Sequence, residues 1–76
     1  MSIPQPGNYC GHTGFELEYG PVLLEIVEWR DTLSRVRVVN CFSPAPSHIT
    51  IGKVLTVLSA NLHPLNPLEV IALSTL

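Results

Sequence analysis

The amino-acid sequence predicts a mainly β domain of five antiparallel strands, closed into a small barrel or bent strongly as an open sheet. Three observations point there. Residues 21–42 hold two apolar, β-branched runs joined by a polar break at Arg30, Asp31 and Thr32, the pattern of a long hairpin. Residues 48–59 repeat that composition. The seven prolines and five glycines fall mostly between the apolar runs, so they punctuate strands rather than dilute a disordered chain.

Taken in order, residues 1–14 read as an extended amino-terminal arm, because Pro4 and Pro6 favour polyproline-like backbone. Phe15, Leu17 and Tyr19 alternate with Glu16 and Glu18, which predicts a strand with one wet face. Gly20-Pro21 ends or bends it. In the first hairpin arm Val22, Leu24 and Ile26 share a face, and then the apolar phase moves to Val27 and Trp29. A slip of one residue predicts a β-bulge or a strand covered on both faces, the cover being the carboxyl tail or another subunit. The second arm alternates cleanly, with Val36 and Val38 inward and Arg35 and Arg37 outward. No Asn-Gly pair marks the turn, so a loop of about three to five residues is expected.

Residues 43–47, Ser-Pro-Ala-Pro-Ser, are a loop. Ile49 and Ile51 then share a face of a third β region, and Gly52 bends it before residues 54–58 resume the alternation. Residues 59–62 suit a 3₁₀ turn and residues 62–65 a short closing strand. Asn66, Pro67 and Glu69 have the chemistry of a capped helix start. Val70, Ile71 and the lack of a polar face also fit a strand there. The units are thus an arm (1–14), a barrel domain (15–65) and an apolar tail (66–76) that packs on its own core or on a neighbouring subunit.

Composition narrows the function. Hydrophobic residues make up 46 % of the chain and charged residues 13 %, against about 25 % charged in an average soluble domain. A chain of 76 residues buries only about 60 % of the surface its unfolded form exposes. The surplus apolar surface therefore points to association with copies of itself or with a protein partner. No apolar run approaches the ~20 residues that span a bilayer, and the amino terminus lacks a basic segment with an apolar core. A cytoplasmic protein is expected. The four basic residues, Arg30, Arg35, Arg37 and Lys53, set against six acidic ones, are too few to hold nucleic acid by phosphate neutralisation.

Chemistry-bearing motifs are sparse. Cys10, His12, Cys41, His48 and His63 are metal-ligand types without metal-ligand spacing, so no metal or other cofactor is expected. A Cys10–Cys41 disulfide would need an oxidising compartment. No phosphate-binding loop, dinucleotide fingerprint or nucleophile–base set is visible, so no catalytic residue is assigned and the reading leans away from an enzyme without closing that alternative. The candidate binding residues are Trp29, Arg30, Arg35 and Arg37, an aromatic-plus-arginine set of the kind enriched at interface hot spots, with Tyr19, His48 and His63 as further liners of a pocket. Against a binding role, an aromatic on a barrel strand is more often core, and Glu28 facing Arg35 makes an ordinary cross-strand ion pair.

The short strand, the strong hairpin, the bend at Gly52 and the terse ending Ser-Ala-Asn-Leu-His-Pro-Leu (59–65) together resemble small Src-homology-3-like barrels over residues 15–65. That resemblance implies a fold that hosts peptide readers, nucleic-acid binders, assembly subunits and a few oligomeric enzymes, and no functional residue follows from it. Two functions stay open: a non-catalytic, self-associating interaction module, and an oligomeric small-ligand binder, even an enzyme, whose pocket forms between subunits.

Overall fold

A computed structural model describes residues 5–42 and 46–76 of the chain. Five strands, β1 (Tyr9–His12), β2 (Val22–Glu28), β3 (Leu33–Cys41), β4 (Val54–Leu58) and β5 (Leu62–Pro64), form one antiparallel sheet in the order β4-β3-β2-β1-β5. The sheet is not closed: β4 and β5 are its two edges, joined in sequence by a 3₁₀ turn at Ser59–Asn61. Two short helices complete it, α1 (Thr13–Glu18) and α2 (Pro67–Leu73).

The hairpin is the centre of the sheet. Alternation in β3 buries Ser34, Val36 and Val38 and exposes Leu33, Arg35 and Arg37. In β2 the register slips between Ile26 and Glu28, where the sequence changes phase, and a second irregularity lies between Leu23 and Leu24. Cys10, Val22, Leu24, Ile26, Val36, Val38, Ile49 and Val57 make the core, with Phe15, Trp29, Cys41, Leu55 and Leu62 packed around it. The connection between the hairpin strands is held from inside. Ser34 Oγ and Ser59 Oγ lie 2.6 Å apart, the Arg30 N–H donates to Ser34 Oγ at 3.1 Å, and the Arg30 carbonyl accepts from Ser59 Oγ. Three polar groups that burial would otherwise leave unpaired thus satisfy one another.

Three regions differ from the sequence reading. Residues 15–18 are helical rather than extended. His12 caps the turn with its ring, and the Phe15 carbonyl accepts from both the Tyr19 and Gly20 N–H groups. Gly20 then stops the helix at φ +135°, and a β-carbon there would lie 2.8 Å from Phe42 Cγ. These capping interactions outweigh the alternation of Phe15, Leu17 and Tyr19, and Leu17 is left 82 % exposed. The stretch read as a lead-in arm supplies β1, which pairs with both β2 and β5; its first four residues lie outside the described ones. The third β region is a strand only from Val54 onward. Residues 47–52 are turns, in which Ile49 is buried and Ile51 points to solvent. Of the proline loop, residues 43–45 lie outside the described ones.

The carboxyl tail is the helix. Asn66 accepts from the Glu69 N–H at 2.8 Å and Glu69 Oε1 accepts from the Asn66 N–H at 3.2 Å, a complete capping box with Pro67 in the first turn. Asn40 Nδ2 donates to the Leu73 carbonyl at 2.9 Å and ties the helix end to β3. Among the described residues, no helix is long and apolar enough to cross a membrane.

Candidate functional site

The bulge in β2 turns Trp29 to the core side of the sheet, where it packs on the core cluster. Beside it opens a groove of about 850 Å³, walled by Ile26 and Trp29, by Leu62 and His63 of β5, and by Val70 and Ile71 of α2. Its lining is mainly apolar. The volume falls within the ~300–1,000 Å³ of small-ligand sites, and one chain supplies all of it.

At the polar end, His63 Nε2 lies 2.7 Å from Glu16 Oε1, bringing β5 and α1 together. Gly11, opposite His63 in the ladder, permits this contact. A β-carbon at Gly11 would sit 2.5 Å from His63 Cε1 and 2.8 Å from Glu16 Oε2. The neighbouring His12 is buried and stacked on Phe15 with ring centroids 3.8 Å apart. Its Nδ1 accepts the Phe15 N–H at 3.0 Å and so carries no proton. Burial holds the His12 pKa below its usual value, opposed by its own backbone hydrogen bond and by the nearby Glu16.

The sign of this effect sets a pH dependence. The unfolded chain takes up a proton on His12 as the pH falls through about 6.5, before the folded chain does. Stability is therefore complete above that range and declines as the pH drops through it toward the lower folded value. Losing the cap costs about 1 kcal/mol, or roughly 5 °C in Tm for a domain of this size. His12→Asn keeps a capping acceptor that does not titrate, so its Tm should fall less between neutral pH and about pH 5 than that of the wild type. Equal slopes would place the proton on another group.

The other sequence-predicted residues are dispersed. Arg35 and Arg37 lie on the outer face of the sheet, away from Trp29. Arg37 Nη1 pairs with Glu25 Oε1 at 2.8 Å. Glu28 is opposite Arg35 in the ladder, yet its carboxylate pairs with Arg30 Nε at 3.3 Å. Both pairs are solvent-exposed and contribute little to stability. Tyr19 meets His48 edge-on, with centroids 6.1 Å apart, and neither lines the groove. Only Trp29 and His63 of the seven candidates share a site.

Sequence reasoning missed Gly11 and Glu16, because their roles depend on β1 pairing with β5. Both cysteines are free. Burial pushes the Cys10 thiol up to about 12, so it is protonated at neutral pH and a poor nucleophile. Among the described residues, no three His, Cys, Asp or Glu side chains gather as metal ligands. Comparison with known protein families, curated proteins and solved structures finds no match to the chain.

Proposed function

We propose that this protein is a non-catalytic interaction module that assembles with copies of itself, on a Src-homology-3-like architecture. The observation that carries the reading is the imbalance between core and surface. The buried hydrophobic side chains are mostly Val, Leu and Ile of the central strands, whereas Leu17, Ile51, Leu58, Leu68, Ile71 and Leu76 are more than half exposed. A second copy is the simplest cover for apolar surface on a chain with so few charges. The strand order β5-β1-β2-β3-β4, with a 3₁₀ turn joining β4 to β5 in sequence, supports the architecture in an open form. The scarcity of reactive groups supports the non-catalytic part, since burial keeps the Cys10 thiol protonated and so a poor nucleophile.

Sedimentation equilibrium at micromolar protein should show a mass that is a multiple of the chain mass. A monomer across the whole accessible concentration range overturns the reading.

The groove favours a second reading, the capture of a small apolar ligand. Trp29 is the only tryptophan and stands in the groove wall, so its emission reports on occupancy directly. A shift in Trp29 emission with an apolar dye, saturating at one dye per chain, supports this reading; an unchanged spectrum removes it.

A further inference from the structure

We propose that two copies join through β4, edge to edge and antiparallel, across a two-fold axis at Thr56. The inference deepens the self-association proposed above and rests on it.

The backbone of β4 comes first. The Val38 N–H donates to the Lys53 carbonyl, and the Ser59 N–H donates to the Thr32 carbonyl. Residues 53 and 59 therefore face β3, and in an antiparallel ladder the residues between them alternate. Val54, Thr56 and Leu58 then direct their N–H and C=O groups away from the sheet. Among the described residues, no other backbone hydrogen bond outside the ladder reaches these three, and all three side chains are exposed.

The two sheet edges are treated differently. β5 is three residues long and ends in Pro64, which offers no N–H for pairing; short strands and proline are ordinary guards of an edge. β4 reads Val-Leu-Thr-Val-Leu, with no proline, glycine, charge or bulge to guard it. One open and one guarded edge allow a closed pair of chains and disfavour a filament.

The β4 sequence is complementary to itself in that geometry. Centred on Thr56, Val54 of one copy faces Leu58 of the other, and Leu55 faces Val57. Each of the three pairs 54–58, 56–56 and 58–54 exchanges two backbone hydrogen bonds. Exposed Leu33 lies beside Leu58 in the ladder and widens the apolar strip.

Charge agrees with the register. It sets Lys53 opposite Ser59 of the second copy, and Ser59 is bonded to Thr32, next to Asp31. Two strand spacings, about 10 Å, separate the backbones of residues 53 and 32, a gap that a lysine and an aspartate side chain bridge together. Neither Lys53 nor Asp31 has an ion-pair partner among the described residues. Two-fold symmetry brings opposite charges together at both ends of the interface.

The test uses the full chain. In Thr56→Cys, oxidation by diamide, which takes up the two thiol hydrogens, should join most of the protein into a dimer. Peptide mass spectrometry should place that bridge between position 56 of each copy rather than at Cys10 or Cys41. A second measurement reads exposed charges that the fold does not need. Lys53→Asp should raise the dimer Kd about two- to tenfold, and Asp31→Lys in the same chain should restore it. A wild type that stays monomeric overturns both the wider reading and this one. A wild-type oligomer whose Thr56→Cys variant forms no 56–56 bridge overturns the β4 interface and leaves self-association standing. A Kd unmoved by Lys53→Asp, or not restored by the swap, overturns the stated register.

Discussion

Leu24→Ala should lower the unfolding free energy by about 3 kcal/mol, read as a drop in urea midpoint with an unchanged m-value. Leu24 is 0 % exposed, in the middle strand of the five, with Cys10 and Val38 as its ladder neighbours on either side. Removing its branched end leaves a cavity between strands that are fixed by their own hydrogen bonds and cannot close in. A domain of this length holds roughly 4–11 kcal/mol in all. The single change therefore removes a quarter or more of the total, with Tm falling by about 12–24 °C. Leu68→Ala is the matched control. The same chemical change at a side chain 77 % exposed on α2 should stay within about 0.5 kcal/mol. Equal losses at the two positions would mean that α2 is covered in solution and Leu68 belongs to an interface.

Trp29→Ala should cost about 2–3 kcal/mol, less than a fully buried tryptophan because the ring is half-buried against the core and half in the groove wall. The variant separates two roles that the residue type alone would allow. Trp29 stands on the β1–β5 side of the sheet with α2, whereas the proposed pairing edge is β4 on the other side. Stability should thus fall while the dimer Kd stays within about twofold of the wild type. A monomeric but folded variant would put Trp29 in the interface and move the contact to the groove.

The parts of the fold legible in the sequence are those set by near neighbours. The hairpin strands follow from period-2 alternation of β-branched residues, and the slip at Val27 marks the bulge because one extra residue reverses the face of all that follow. Asn66, Pro67 and Glu69 marked a capped helix start while Val70 and Ile71 also fitted a strand, and the caps, which act within four residues, prevail. The failures were distant pairings. Cys10-Gly11-His12 has no strand signature of its own and becomes β1 only by filling the gap between β2 and β5. Phe15 to Glu18 alternates like a strand but turns into helix once β1 holds His12 where its ring can accept the Phe15 N–H. Ile49 and Ile51 look equivalent, yet the turn ending at Gly52, with φ +90°, buries one and exposes the other.

The candidate site divides the same way. Trp29 stood out as the lone tryptophan beside a phase slip, and His63 as a polar residue in the closing strand. Their meeting with Glu16 and α2 depends on segments up to 47 residues apart in sequence. What the sequence determined by itself was the β class, the central hairpin, the place of its phase slip and the cap residues of the tail. Only the tertiary structure decided which edge of the sheet is guarded, that residues 9–12 form a strand between β2 and β5, and that Trp29 and His63 share a groove. The reason is physical: alternation and capping act over a few residues, whereas an edge, a pairing or a groove is made by strands that meet across the whole chain.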